Sequence, residues 1–299
     1  MSTIISSADH TPIAYWTSGN GPPLVLVHGT TADHTRWSSI LPLLEPHATV
    51  HAIDRRGRGG SGDHPDYALD REFEDVAAVV RAVADATGGP VDLLGHSYGG
   101  LCAVGAARLA GANLRRLVLY EPPAGTDGRD LSSGNLARLE TLVAQGRPDE
   151  LLEVFFRDEV GLPAQQLALL RGLPAWQARV AAAHTIPREL RATGEFVPDP
   201  DWFAAVRAPT LMLLGGDSPP WAAKVTGQLR DALADARAEV LPGQQHVAMD
   251  TAPELFAGAV VEFLTGKPSR ADVRPAEPDP AGRNHDTPGG QPRSVAPRS

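Results

Sequence analysis

The chain has 299 residues, of which 42% are hydrophobic and 21% are charged, a balance that is ordinary for a globular protein with a sizeable core. Its formal net charge of -9 argues weakly against nucleic acid as a partner, and its single cysteine, Cys102, excludes an internal disulfide. The chain shows no membrane-spanning run and no signal peptide, so we expect a cytoplasmic protein with no membrane partner.

Short β-rich runs alternate with longer amphipathic runs, which predicts a mostly parallel sheet with helices on both faces. Several short runs are continuously apolar, as is typical of strands buried on both faces. The helical period is clearest between Phe73 and Val83, where apolar residues recur on one face. The predicted strands are the runs 3–7, 13–17, 24–28, 49–54, 91–94, 116–120, 210–214 and 238–241.

A Gly-x-Ser-x-Gly motif centred on Ser97 lies between the fifth predicted strand and an apolar helix. In so tight a turn the positions two before and two after the serine must lack a Cβ, which accounts for Gly95 and Gly99. The hydroxyl then stands at the carboxyl end of the sheet, and the amide of Tyr98 points from a helix N-terminus toward a developing oxyanion. The loop after the third strand is expected to supply a second amide, that of Thr30.

A serine hydroxyl attacks a carbonyl at neutral pH only when a base takes its proton and an acid orients that base. His246 follows the last predicted strand, in a strand-to-helix loop at the same edge of the sheet as Ser97, and is the candidate base. His28, His51 and His96 belong to strand ends or to the serine turn, which favours structural roles.

Two carboxylates are candidates for the acid. Glu121 ends the sixth predicted strand, and Asp217 lies in the loop after the seventh. Both stand between Ser97 and His246 in the chain, so the order serine, acid, histidine is satisfied by either.

The region between the sixth and seventh strands shows no strand pattern. It predicts several helices separated by prolines, over 136–144, 149–158, 164–170, 175–184 and 187–191, and an insertion of this size is typical of a lid. From Pro268 onward the chain is rich in proline and lacks aromatic residues, which predicts disorder. The predicted domains are a core over 1–121 and 201–267, a helical cap over 122–200 and a disordered tail over 268–299.

Taken together, these motifs resemble a serine hydrolase of the α/β-hydrolase superfamily over about 13–264. The residues that carry the resemblance are 28–29, 54–61, 95–100, 215–217 and 245–247. The resemblance implies an eight-stranded fold, a Ser-acid-His triad, an oxyanion hole from Thr30 and Tyr98, and a helical cap between the sixth and seventh strands. It also implies that the protein uses no metal and no organic cofactor.

One position departs from the superfamily pattern. The acid after the seventh strand usually stands three residues beyond the glycine that ends the strand, and here that position is Ser218, so Asp217 comes one residue early. Some members take the acid from the end of the sixth strand, where this chain has Glu121. The prolines at 122–123 would hold the backbone of Glu121 stiff, which favours it slightly, and both carboxylates stay candidates.

The expected reaction is hydrolysis of an ester, lactone or related acyl bond in a small, mostly apolar substrate, through an acyl-enzyme on Ser97. Two alternatives come from other classes. One is a non-hydrolytic catalyst on the same scaffold, such as a lyase, a cyclase or a cofactor-free perhydrolase. The other is a ligand receptor. The expected partner is a small molecule in every case, and the sequence indicates no particular oligomeric state.

Overall fold

The computed structural model describes residues 2–124, 135–162, 164–172 and 175–267. They form one sheet of eight strands in the order β1-β2-β4-β3-β5-β6-β7-β8. Only the pairs β1–β2 and β2–β4 are antiparallel. The predicted eight-stranded, mostly parallel sheet is therefore confirmed. The strands are β1 (Ser2–Ser6), β2 (Pro12–Gly19), β3 (Pro23–Val27), β4 (Thr49–Ile53), β5 (Val91–His96), β6 (Leu114–Tyr120), β7 (Thr210–Gly215) and β8 (Ala236–Leu241).

Helices follow most of the strands and cover both faces of the sheet. None in the described ranges is both long enough and apolar enough to cross a bilayer. The predicted tail over 268–299 lies outside the described residues. The helices are α1 (Leu41–Leu44), α2 (Leu69–Thr87), α3 (Tyr98–Ala110), α4 (Asn135–Ala144), α5 (Pro148–Val154), α6 (Ala164–Arg171), α7 (Ala175–Ala182), α8 (Ile186–Glu195), α9 (Pro200–Ala204), α10 (Pro220–Ala232), α11 (Ala248–Thr251) and α12 (Pro253–Thr265).

The sheet has a hydrophobic core on each face. On one face α2 and α3 pack so closely that a Cβ on Gly105 would lie 2.2 Å from the ring of Phe73, so the small residues of α3 set the depth of packing. On the other face the fully buried Trp37, Tyr120 and Phe256 lie in a second apolar cluster with α12. Because both faces are covered, the ends of the central strands are held firmly.

Helices α4 to α8 form an insertion between β6 and β7 with an apolar cluster of its own. Leu139, Leu151 and Ile186 are fully buried in that cluster, and Trp176 is nearly so. The predicted single helix over 149–158 is interrupted, because α5 ends at Val154 and continues as one π-helical turn, Phe155–Glu159. The insertion therefore packs as a compact helical layer over the carboxyl edge of the sheet.

Candidate active site

Ser97 lies in the sharp turn that joins β5 to α3, with φ +54° and ψ -128°. Few residues other than glycine adopt this conformation, and such strain is concentrated at functional positions. Its amide donates to the carbonyl of Tyr120, 2.9 Å away on β6. A Cβ on Gly99 would lie 2.3 Å from the carbonyl oxygens of Val27 and His28, so only glycine allows α3 to start against β3.

His246 and Glu121 are brought together by loops that follow β8 and β6. The distance from His246 Nδ1 to Glu121 Oε2 is 2.6 Å. The other carboxylate oxygen, Oε1, accepts from the amide of Gly215 at 2.8 Å and from the hydroxyl of Ser218 at 2.5 Å. Glu121 is buried and has a left-handed backbone, φ +45°. With Nδ1 donating to the carboxylate, Nε2 of His246 is left as the proton acceptor.

Asp217 is not brought to His246. It is exposed, its amide donates to the carbonyl of Gln244 at 2.9 Å, and its carboxylate makes no hydrogen bond to any described residue. Its neighbour Ser218 stands where the superfamily pattern places the acid, and it supports the Glu121 carboxylate instead. Of the two candidate acids, the structure places only Glu121 in contact with the histidine.

Tyr120 and His96, at the ends of β6 and β5, hold the loop that carries His246 by hydrogen bonds. The hydroxyl of Tyr120 donates to the carbonyl of Gln245 and accepts from the amide of Ala248 at 3.1 Å. His96 Nε2 donates to the carbonyl of His246 at 2.8 Å, and burial together with nearby His246 lowers the pKa of His96 well below its usual value. His96 is therefore a neutral residue that holds the loop in place.

His28 and His51 lie in other hydrogen bonds. His28 Nδ1 donates to the carbonyl of Gly29 at 2.8 Å, and its Nε2 accepts from the amide of Arg55 at 3.2 Å. His51 Nδ1 lies 3.0 Å from the hydroxyl of Thr17 in the neighbouring strand β2. Both imidazoles are thus engaged with the backbone or the sheet rather than with the serine.

The loop after β3 passes directly against the serine. A Cβ on Gly29 would lie 2.9 Å from Ser97 Cβ, and the next amide along the loop is that of Thr30. Neither this amide nor that of Tyr98 has a hydrogen-bond acceptor within the described ranges. Thr31 has φ +65°, and this left-handed residue completes the turn of the loop. Two N–H groups are thus available near Ser97, as an oxyanion hole requires.

The insertion contacts this loop through Arg179 of α7. Its Nη1 donates to the carbonyl of Thr31 at 3.1 Å and to the hydroxyl of Thr31 at 2.6 Å. The ring of Phe156 lies 5.7 Å from the guanidinium carbon. Arg179 therefore joins the helical layer to the residue that follows Thr30.

A buried ionic cluster joins α8 to the core beside α3. The Glu189 carboxylate accepts from both Arg55 and Arg58, and Arg55 also pairs with Glu72 at 2.9 Å. The guanidinium of Arg55 lies 4.6 Å from the ring centre of Tyr98. Burial raises the pKa of Glu189, but Arg55 and Arg58 outweigh it, so the pKa of this carboxyl is lowered and the group is ionised.

Comparison with known proteins establishes the family. A family model described as the alpha/beta hydrolase family matches residues 24–259, most of the chain. The chain belongs to the alpha/beta hydrolase family. An alpha/beta hydrolase from Sphaerobacter thermophilus DSM 20745 superposes with a TM-score of 0.75 at 36% identity, covering 88% of this chain and 100% of that one.

Curated relatives of this alpha/beta hydrolase are also enzymes. N-formylmaleamate deformylase of Pseudomonas putida is 29% identical over 257 residues, which cover 82% of this chain and 90% of the relative. The (E)-2-((N-methylformamido)methylene)succinate hydrolase of Acinetobacter baylyi is 27% identical over 261 residues, covering 85% and 94%. These similarities support an enzyme of the family.

Three residues near the site of this alpha/beta hydrolase were not predicted from sequence. Ser218 could have been found, because it occupies the position of the usual acid and a hydroxyl there can donate to a carboxylate on the adjacent strand. Arg179 and Glu189 come from the insertion and meet loops more than a hundred residues earlier, so no local pattern indicates them.

Proposed function

We propose that the protein is a serine hydrolase that cleaves an ester, lactone or related acyl bond of a small, mostly apolar substrate. The observation that carries the proposal is the 2.6 Å hydrogen bond between His246 Nδ1 and Glu121 Oε2, at the same edge of the sheet as the strained Ser97. In this assignment Ser97 is the nucleophile, His246 is the base and Glu121 is the acid that orients it.

The reaction proceeds in two halves. Ser97 Oγ bonds to the acyl carbon while its proton passes to His246 Nε2, and the negative charge that develops on the carbonyl oxygen is bound by the amides of Thr30 and Tyr98. The carbonyl re-forms, the bond to the leaving group breaks, and His246 returns the proton to that group. Water then attacks the acyl-enzyme with His246 again as base, releasing the acid and free Ser97. Each amide donor contributes about 3 kcal/mol to lowering the barrier in enzymes of this kind.

The names of the relatives widen the range of bonds that we propose the protein cleaves. N-formylmaleamate deformylase and (E)-2-((N-methylformamido)methylene)succinate hydrolase are among them, so we include N-acyl bonds with esters and lactones as candidate targets of this chain.

The test is covalent labelling combined with turnover. Wild type, Ser97→Ala and the control Ser38→Ala, which changes an exposed serine, are exposed to a fluorophosphonate and examined by intact mass spectrometry, beside hydrolysis of p-nitrophenyl butyrate. We expect one adduct and ester turnover in wild type and control. Ser97→Ala should take no adduct and lose at least about a thousandfold in kcat. A folded wild type that takes no adduct would refute the proposal in favour of a non-hydrolytic catalyst or a receptor.

A further inference from the structure

Arg179 is set apart from the other described arginines of the insertion by its lack of a counter-ion. Each of the others lies within 4.0 Å of a carboxylate in an ion pair. They are Arg138, Arg147, Arg157, Arg171, Arg188 and Arg191. No described carboxylate lies within 4.0 Å of Arg179. Its side chain is half-buried, whereas most of the other six arginines are exposed.

Only one nitrogen of the Arg179 guanidinium makes hydrogen bonds to described residues. Nη1 makes both hydrogen bonds to Thr31. Nε is buried and has no hydrogen-bond partner, and Nη2 makes no hydrogen bond to any residue that the structure describes. Nη2 can therefore donate a charge-assisted hydrogen bond to an incoming carboxylate.

Charged groups of both signs surround Arg179, since Arg36 lowers its pKa while Asp250 and Asp33 raise it. The nearby Arg36 is already neutralised by Asp250, to which its Nη1 donates at 2.7 and 2.8 Å. Burial, and to a smaller extent Arg36, lower the pKa of Arg179 to about 10, so it carries its charge at neutral pH. A partly buried cation without a partner is unfavourable, and an anion placed against it would remove that cost.

Arg179 also contacts the loop that passes against Ser97. It contacts Thr31, which follows the proposed oxyanion donor Thr30, and the loop begins at Gly29 against Ser97. A substrate whose carbonyl is bound at Ser97 therefore has this cation within reach along the same loop.

We propose that Arg179 binds a carboxylate carried by the acyl part of the substrate, so that the preferred substrates are monoesters or monoamides of small dicarboxylic acids. This inference rests on the proposed hydrolase function and narrows its substrate class. The carboxylate accepts from Nη2 while Nη1 keeps its bonds to Thr31.

A purely structural role for Arg179 makes a different prediction. If the side chain only ties the insertion to the oxyanion loop, its loss disturbs Thr30 whatever the substrate carries, and all esters are affected through kcat. If it binds a carboxylate, the loss depends on the charge of the substrate and is expressed mainly in KM.

The experiment compares monomethyl glutarate with methyl pentanoate, which has a methyl group where the former has a carboxylate. Wild type, Arg179→Gln, Arg179→Lys and the control Arg171→Gln, an exposed arginine of α6, are assayed by proton release at constant pH, with thermal midpoints as the measure of folding. We expect wild type to prefer monomethyl glutarate at least about tenfold in kcat/KM. Arg179→Gln should lose about 10- to 100-fold on that ester and less than about threefold on methyl pentanoate, with partial recovery in Arg179→Lys.

Inhibition gives a second readout that needs no turnover of these esters. Glutarate should compete with p-nitrophenyl butyrate in wild type and in Arg171→Gln, and should compete far less in Arg179→Gln. Equal losses on both esters, or unchanged inhibition by glutarate in Arg179→Gln, would overturn the inference. Fluorophosphonate labelling of Ser97 in the same samples separates this failure from failure of the hydrolase proposal, since labelling would persist in the first case and be absent in the second.

Discussion

Replacing Glu121 by glutamine removes the acid of the proposed triad with little change in shape. The carboxylate accepts hydrogen bonds from Gly215, Ser218 and His246. An amide has one oxygen and one NH2 group, so one of its two ends must face a donor. The amide of Gly215 cannot reverse, whereas an imidazole can change tautomer, and we therefore expect the NH2 to face His246. Nδ1 then accepts, Nε2 carries the proton, and the ring cannot take the proton of Ser97.

The same change of tautomer costs about 10⁴-fold in kcat in serine proteases, or roughly 5 kcal/mol of barrier. We expect a loss of this size for Glu121→Gln, measured as kcat for p-nitrophenyl butyrate with the fluorophosphonate labelling rate as a second readout. Asp217→Asn is the matched control, and because Asp217 is exposed its variant should stay within about twofold of wild type. Near-normal activity in Glu121→Gln, or a large loss in Asp217→Asn, would refute this reasoning.

Two further predictions concern stability. In Gly99→Ala the new Cβ would lie 2.3 Å from the carbonyl oxygens of Val27 and His28. The substitution should therefore lower the free energy of unfolding, measured in urea, by about 2–3 kcal/mol. Gly89→Ala, where a Cβ meets nothing within 4 Å, should change it by less than about 1 kcal/mol, and equal stability of the two variants would contradict the packing argument. Because Arg55 and Arg58 hold the pKa of Glu189 below its ordinary value of 4.5 against the effect of burial, its ionised form stabilises the fold fully above pH 4.5. That contribution is lost as the pH falls through the lower pKa of the folded state. Glu189→Gln should therefore flatten the acid limb of the unfolding free energy measured between pH 5 and 3, and an unchanged slope would count against it.

Strands were easier to predict than helix details, for a physical reason. Within the predicted strand 24–28, residues 24–27 are continuously apolar, as is typical of a strand buried on both faces. The predicted helix over 149–158 was wrong in one respect, since its last turn is π-helical. One π-helical turn is too short to change the period of an apolar face, so the sequence pattern does not reveal it.

Some residues of the candidate site could be predicted from the sequence and others could not. Ser97 and His246 could be selected from local patterns, because a tight turn and a strand-to-helix loop both have sequence signatures. The choice between Glu121 and Asp217 depended on where two side chains point, and this is set by one left-handed backbone angle at Glu121 and by the loop after β7. The contact between Arg179 and Thr31 joins residues 148 positions apart, so only the packed structure shows it.

The position of each strand in the sheet also indicates which part of the candidate site opens first on heating. The amide of Ser97 donates to the carbonyl of Tyr120, the residue before Glu121, so the proposed nucleophile and acid belong to one hydrogen-bonded strand pair in the middle of the sheet. His246 instead follows β8, an edge strand with mostly exposed side chains. Edges open at lower free energy than buried centres. We therefore expect warming to displace the His246 loop before the central strands separate, so that the proposed activity is lost before the sheet unfolds.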